Sequence, residues 1–169
     1  MLNKIYKKYR NYKKKQYTNK VCKTAKKVGK DLHVNNPSIV TRNTILGDNV
    51  NFNGMEILGT GVVDIGDNFH SGVDCMIITD IHNYDGGNMI PYDESVISKD
   101  VVIKDNVWLG HRVIILGGVT IGEGAIIQAG STVVSDIPDF GIAGGHPASV
   151  FKVRDVEHYM KLKDEGKFH

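Results

Sequence analysis

Cysteine, proline and long apolar runs are scarce in this chain of 169 residues. Its two cysteines, Cys22 and Cys75, lie far apart, so neither a disulfide framework nor a CxxC metal site is indicated. No segment reaches the roughly 20 apolar residues of a membrane span, and the N-terminus lacks the apolar centre of a signal peptide. We therefore expect a single cytoplasmic domain with reduced thiols.

Acidic residues are absent from the first 30 positions. This segment contains eleven lysines and one arginine, whereas the rest of the chain has nine basic and nineteen acidic residues. Apolar residues stand among the lysines at helical spacing: Leu2, Ile5, Tyr6, Tyr9 and Tyr12. Residues 1–30 are therefore predicted to form a basic amphipathic helical arm. Its tyrosine side could pack on the same chain or on a neighbouring subunit, or the arm could associate with a membrane surface; no motif indicates nucleic-acid binding.

A six-residue repeat of aliphatic residues, separated by glycines, dominates the second half of the chain. One register holds from Ile103 to Ile137. Its first positions are Ile103, Leu109, Ile115, Ile121, Ile127 and Val133, and its fifth positions are Val107, Val113, Val119, Ala125, Ser131 and Ile137. An α-helix would need apolar residues three and four apart, so the repeat predicts an all-β solenoid in which three hexads close one triangular coil.

A looser version of the repeat precedes this register. The solenoid is expected to begin near Ile39, after a connector at residues 29–37. Leu46, Phe52 and Leu58 are then spaced six apart, and Ile65 arrives one residue late. Segments 46–50, 65–69 and 103–107 each place Asp-Asn between hydrophobic residues, which indicates the same structural unit in both halves.

The repeat stops between Ile78 and Val96. Residues 79–96 are largely polar, contain glycine and are longer than a coil turn requires, so we expect an inserted loop that projects from the solenoid. The loop carries His82, with Asp80 and Asp85 on either side. Imidazole is suited to proton transfer near neutral pH, which makes this loop the first place to look for chemistry.

The chain leaves the solenoid after Pro138 through the glycine-rich segment 141–148. Residues 153–162 have the spacing of a short amphipathic helix, which we expect to cap the end of the solenoid. The predicted organisation is an arm at 1–30, a solenoid at 31–150 with the loop at 79–96, and a C-terminal helix and tail at 151–169.

Four strings make the pattern more specific: Asn106-Val107-Trp108-Leu109-Gly110, Gly117-Gly118-Val119-Thr120-Ile121-Gly122, Asp136-Ile137-Pro138 and Gly144-Gly145-His146-Pro147-Ala148. With the hexads, residues 39–154 closely resemble the hexapeptide-repeat acyltransferases, in particular sugar and polysaccharide O-acetyltransferases and xenobiotic acetyltransferases. The resemblance implies a left-handed parallel β-helix, a homotrimer, acetyl-CoA bound between adjacent subunits, and a sugar or glycan acceptor. The N-terminal arm lies outside the resemblance.

The resemblance also implies roles for individual residues. His82 matches the general base that takes the acceptor's hydroxyl proton, with Asp80 or Asp85 orienting its ring. The expected cofactor-binding residues are Trp108, Gly110, His111, Gly117, Gly118, Ala129, Gly130, Lys152 and Arg154. Among them, the backbone N–H groups of Gly110 and His111 are candidates for an oxyanion hole. Asn83 and Tyr84 are candidates for holding the acceptor, and no metal is expected because the other histidines lack ligand spacing.

The leading prediction is therefore an acetyl-CoA-dependent O-acetyltransferase that acts by direct transfer on a sugar destined for a surface polysaccharide. The alternatives are N-acetylation of a nucleotide-linked amino sugar, acetylation of a xenobiotic such as an antibiotic, and a non-catalytic β-helix scaffold. His82, Trp108 and the glycine-rich exit argue against the scaffold. The expected location is the cytoplasm, where the basic arm would allow peripheral association with the inner membrane surface.

Overall fold

The computed structural model describes residues 2–169, and the side chains from Lys4 onward. The chain opens with helix α1, Leu2–Thr24, which confirms the expected helical arm but ends before residue 30. The predicted contribution of Leu2 to the apolar side of the arm lies outside the described side chains. Among the described residues, no helix is both long and apolar enough to cross a membrane.

The body of the molecule is built from short strands. In chain order they are β1 Lys27–Val28, β2 His33–Asn36, β3 Thr44–Leu46, β4 Asn51–Leu58, β5 Val63–Ile65, β6 His70–Ile78, β7 Asp80–His82, β8 Val96–Ser98, β9 Val101–Ile103, β10 Trp108–Leu109, β11 Ile114–Leu116, β12 Thr120–Ile121, β13 Ile126–Ile127, β14 Thr132–Val133, β15 Gly141–Gly145 and β16 Ala148–Val153. Helix α2, Val156–Asp164, follows.

These strands stack in parallel into a solenoid of about six turns with three faces, as expected from the hexads. The first face stacks β1, β3, β5, β9 and β12. The second face stacks β2, the start of β4, the start of β6, β10, β13 and β15. The third face stacks the ends of β4 and β6 with β11 and β14. β4 and β6 therefore turn a corner and belong to two faces.

The interior of the solenoid is filled by the residues of the predicted six-residue repeat. All twelve positions of the register from Ile103 to Ile137 are buried. The large first-position side chains stack on equivalent residues of the next coil, as Ile103 does on Ile121 and Leu109 on Ile127. A coil can bury its inward residues only against its neighbours, so the repeat and the core have a single physical cause.

Two details of the first half differ from expectation. The solenoid begins at Lys27, where β1 pairs with β3, so the expected start near Ile39 is wrong. Leu58 is 36% exposed, and its neighbour Ile57 is the buried residue that stacks on Ile77. The cause is an irregularity in the pairing of β4 between Asn51 and Asn53, which shifts the inward residue by one position.

The corner between the first and second faces is held by a column of Asp-Asn pairs. The Asp48 carboxylate accepts the N–H of Lys30, and Asp67 accepts the N–H of Asp48 19 residues earlier. Asp105 accepts the N–H of Asp67 across 38 residues, because an inserted segment intervenes. Asn49, Asn68 and Asn106 each have positive φ and bond to one another. Asparagine tolerates this conformation, which explains the repeated Asp-Asn dipeptide.

Helix α2 does not cap the end of the solenoid as expected; it lies along this corner. Asp155 caps its N-terminus by accepting the N–H of His158. The Tyr159 hydroxyl donates to Glu123 at 2.9 Å, and Lys163 donates to the same carboxylate. The tail then continues past the coils formed by the first half of the chain, where Asn49 donates to the carbonyl oxygen of His169 at 2.8 Å. The helix and tail therefore cross several coils from the side.

Candidate active site

The inserted loop is a β-hairpin that projects from the corner between the third and first faces. Its strands β7 and β8 pair antiparallel, with Asp80 opposite Ser98 and His82 opposite Val96. At its root, Lys99 donates its N–H to the carbonyl of Thr79. His82 is exposed at the far end of β7. The paired strands thus hold an accessible imidazole outside the solenoid.

The ring of His82 stacks on Tyr92. The ring centroids are 4.0 Å apart and the planes differ by 12°. The turn of the hairpin brings Tyr92 back, because Asn83 donates its side-chain amide to Ser95 and Ser95 bonds to Asp93. Asn83 also accepts the N–H of Gly86, so both ends of its amide are used within the loop. The expected acceptor-binding residue Asn83 therefore shapes the hairpin that positions His82.

Asp80 bonds to the hairpin root, away from His82. Its carboxylate accepts the N–H and the hydroxyl of Thr60 and the hydroxyl of Thr79. The bond from the Thr60 backbone is the main reason that the pKa of Asp80 falls to about 2. Among the described residues, neither Asp80 nor Asp85 forms a hydrogen bond with His82. Asp85 and Tyr84 are exposed on the hairpin turn.

Gly117 and Gly118 lie at the root of the hairpin, beside the expected base-bearing loop. A Cβ on Gly117 would come within 2.7 Å of the Thr79 carbonyl oxygen, so close packing explains this glycine. Gly118 has a φ of +93° and is flanked by the aliphatic part of Lys99. Its N–H donates to the carbonyl of Asp100. One corner of the solenoid therefore unites two predicted cofactor residues with the hairpin.

The corner between the second and third faces holds Gly110, His111, Ala129 and Gly130. A Cβ on Gly110 would overlap the backbone of Ala129, whereas the space around the Cβ position of Gly130 is open. The Gly110 N–H donates to Ile127 at 2.8 Å, so it cannot serve an oxyanion; the His111 N–H forms no hydrogen bond with residues 2–169. The His111 ring accepts the N–H of Val73.

Trp108 lies on the second face and is 55% exposed. It lines a cavity of about 550 Å³ between this face, α2 and the tail. His70, Arg154, Phe168 and His169 also line the cavity, and no residue of the hairpin does. Trp108 and His82 therefore lie on different sides of one chain, and a single subunit does not bring them into one pocket.

The two predicted phosphate-binding residues have different surroundings. Arg154 is half-buried, donates to the carbonyl of Gly124 at 3.1 Å and lies 4.8 Å above the ring centroid of Tyr159. Lys152 is exposed on β16. Arg154 thus anchors α2 to the solenoid, and Lys152 is the more accessible cation.

A comparison with known proteins adds the family. Residues 100–135 match the model "Bacterial transferase hexapeptide (six repeats)". A galactoside acetyltransferase solved in complex with coenzyme A is 30% identical, with a TM-score of 0.68 over 78% of this chain and 67% of that chain. The chain belongs to the hexapeptide-repeat acyltransferase family. A hexapeptide-repeat acetyltransferase of Vibrio cholerae solved with acetyl-CoA is 28% identical, with a TM-score of 0.69 over 78% of this chain and 73% of that chain.

A galactoside O-acetyltransferase of Lactococcus lactis is 48% identical to this hexapeptide-repeat chain over 71 residues, which are 41% of the chain and 33% of the relative. The chain spans about a third to a half of the length of the first curated relatives that it matches. The solved neighbours are left-handed β-helix acetyltransferases, which agrees with the expected fold class.

Two residues near the expected site of this hexapeptide-repeat protein were missed by sequence reasoning. Tyr92 lies ten positions from His82, and only the folded hairpin brings the rings together. Lys99 follows the hairpin in sequence and adds a cation beside Gly118. No group of three or more histidine, cysteine or acidic residues is arranged to hold a metal ion in the part of the chain that the structure describes.

Proposed function

We propose that the protein is an acetyl-CoA-dependent O-acetyltransferase that acts on a sugar or a surface-polysaccharide precursor. The observation that carries the proposal is the exposed His82, stacked on Tyr92, on a hairpin rooted beside Gly117 and Gly118. The galactoside acetyltransferases among the relatives favour a sugar hydroxyl as acceptor. Both cysteines are unpaired, in keeping with the proposed cytoplasmic location.

His82 acts as general base in the proposed reaction. Its neutral imidazole takes the proton of the acceptor hydroxyl while the oxygen attacks the thioester carbonyl. The tetrahedral intermediate then expels the CoA thiolate, which receives the proton from the imidazolium. The free N–H of His111 is the remaining backbone candidate to stabilise the oxyanion, since Gly110 is committed to Ile127. Tyr92 fixes the plane of the imidazole, a role first expected of Asp80 or Asp85.

The donor side of the site suits an extended chain of amides. Gly130 leaves the backbone open at the corner between the second and third faces, and Gly118, at the other corner of the third face, is bordered by the flexible side chain of Lys99. The exposed backbone there can exchange hydrogen bonds with a pantetheine arm, and Ala129 adds a small side chain. Lys152 and Lys99 are exposed cations for the CoA phosphates.

We also propose that the active sites form between subunits of a homotrimer. His82 and Trp108 lie on different sides of one chain, so a neighbouring copy is needed to bring the two residues together. The third face carries an outward column of aliphatic residues, Leu58, Ile78, Leu116 and Val134, next to the hairpin. Exposed apolar columns of this kind are typical of subunit contacts.

The proposed activity is tested with a panel of acceptors and acetyl-CoA, measuring thiol release and the mass of the product. A galactoside or related sugar should gain an acetyl ester that mild base removes. An amide product from an amino sugar, or acetylation of an antibiotic alone, would favour the alternative enzymes. If acetyl is transferred to no acceptor, the remaining interpretation is the non-catalytic β-helix scaffold.

The role of His82 is tested by His82→Ala. Loss of the general base should lower kcat by a factor of about 10² to 10⁴ without changing the melting temperature. His158→Ala is the matched control, because His158 is an exposed histidine on α2, away from the hairpin. A His82→Ala enzyme with the wild-type rate would overturn the mechanism.

A further inference from the structure

Helix α1 is attached to the solenoid by its second half only. Val21 is 1% exposed and belongs to the solenoid core, with Tyr17 and Ala25 packed beside it. The Thr18 hydroxyl accepts the N–H of Val34 on the first coil. Since the other side of that coil pairs with the next one, α1 covers the open end of the stack. The helix therefore has a docked side and a free side.

The free side carries an apolar stripe. Ile5, Tyr9 and Tyr12 follow the i, i+4, i+7 spacing of one helix face and are 60%, 56% and 58% exposed. Tyr12 and the docked Val21 are nine residues apart, which is two and a half helical turns, so they point in opposite directions. Tyr6 is 62% exposed as well, so none of the three tyrosines of the predicted apolar side packs on the same chain.

Cations surround this stripe and lack acidic partners. Five exposed lysines point away from the face that carries Val21: Lys4, Lys8, Lys15, Lys20 and Lys23. None of the lysines or arginines of α1 from Lys4 onward forms an ion pair with a described residue. Lys13 lies 5.7 Å from the ring centroid of Tyr9. The outer side of α1 is thus a strongly positive surface with aromatic side chains at its centre.

We propose that this outer side of α1 binds the surface of an anionic phospholipid bilayer. Lysine and arginine are attracted to the negative headgroup layer, while tyrosine rings settle at the boundary between headgroups and acyl chains. The net negative charge of residues 31–169 is repelled by the same surface, so the molecule approaches with α1 first. The acceptor site remains available, because the hairpin projects from the side of the solenoid.

The aromatic stripe distinguishes a bilayer from other polyanions. Nucleic acid or an acidic polysaccharide would be bound chiefly through the cations, and binding would depend little on Ile5, Tyr9 and Tyr12. A second copy of the chain would have to pack on the side of α1 that faces away from the solenoid on which α1 is docked. The end position of α1 favours a flat surface lying beyond the stack.

The test is co-sedimentation of the full chain with vesicles of phosphatidylcholine alone or of phosphatidylcholine mixed with the anionic lipid phosphatidylserine. The wild-type protein should bind the anionic vesicles and not the neutral ones. Lys8→Gln/Lys20→Gln/Lys23→Gln should weaken this binding at least about tenfold. The control Arg42→Gln/Arg112→Gln/Lys161→Gln removes the same charge from exposed positions outside α1 and should bind like the wild type.

A second variant, Tyr9→Ser/Tyr12→Ser, keeps every charge. It should also lose vesicle binding while retaining binding to heparin. Equal binding to neutral and anionic vesicles, equal losses in the control, or no effect of the tyrosine changes would overturn the proposal. Loss of the oligomer in the triple lysine variant would assign the surface to a second copy instead. Acetyl transfer in free solution is measured in parallel, and its failure would concern the proposed function alone.

Discussion

At the scale of single residues, the contact that most limits the proposed chemistry is the stack of His82 on Tyr92. Both rings are exposed, and neither ring forms a hydrogen bond with another described residue. A general base must meet the hydroxyl proton in a narrow range of directions, and a misplaced group of this kind costs rate more than affinity.

Tyr92→Ala should therefore lower kcat about tenfold and leave the KM for acetyl-CoA unchanged. Tyr92→Phe keeps the ring and should retain nearly the wild-type kcat. Steady-state kinetics of both variants, with melting temperatures as the check on folding, measure this. If Tyr92→Phe is as slow as Tyr92→Ala, the phenol hydroxyl acts directly and the stack is incidental.

The same residues show where reasoning from sequence ends. The inward residues from Ile103 to Ile137 are predictable because they all follow one six-residue spacing. Leu58 was misplaced because the irregularity near Asn51 leaves no mark on hydrophobicity. Tyr92 was missed because its contact with His82 depends on the bonds among Asn83, Asp93 and Ser95 that close the hairpin.

At the scale of structural elements, α2 and the tail that follows it pack on the side of the solenoid through contacts that involve titratable groups. Burial lowers the pKa of His70, and the neighbouring His169 lowers it further. The two rings pack edge to face with centroids 5.1 Å apart. Burial alone would raise the pKa of Glu123, but hydrogen bonds from Lys163 and Tyr159 outweigh it and keep that pKa below its ordinary value.

We expect acid to release the tail before it unfolds the solenoid. Because the pKa of His70 is lower with the tail in place than the ordinary 6.5, the packed state is fully stable above pH 6.5 and loses stability as the pH falls below it. Trp108 is the single tryptophan and lines the same cavity, so its fluorescence should change between pH 7 and pH 5.

His70→Gln cannot acquire this charge and should abolish the fluorescence change in that range. Replacing His158, which lies outside the cavity, should leave the titration as in the wild type. A transition that persists unchanged in His70→Gln would assign it to another group. Far-UV circular dichroism that stays constant through the transition would confirm that the solenoid remains folded.

At the scale of the whole molecule, the proposed trimer rests on the aliphatic column of the third face. Leu58→Asp places a charge in this column at a position that is 36% exposed in the single chain. A monomer tolerates such a charge, whereas burial in a subunit contact leaves it without a partner. We therefore expect Leu58→Asp to dissociate the trimer and to lower acetyl transfer with it.

Sedimentation velocity gives the assembly state directly. Val102→Asp is the matched control, since Val102 is 40% exposed and points outward from the first face. It should sediment like the wild type. A wild-type protein that sediments as a monomer, or a Leu58→Asp trimer with full activity, would contradict the proposed arrangement of shared sites.

The covering of the first coil by α1 also bears on how the protein avoids growing into fibres. Each coil is a template of parallel strands, and an uncovered first coil offers unpaired N–H and C=O groups to the last coil of another molecule. Val21 and its neighbours close that edge with side chains instead of strands. At the other end, β16 folds back antiparallel on β15, where a further parallel rung would otherwise add. The number of coils is therefore limited by α1 at one end and by β16 at the other. The repeat itself contains nothing that would end the stack.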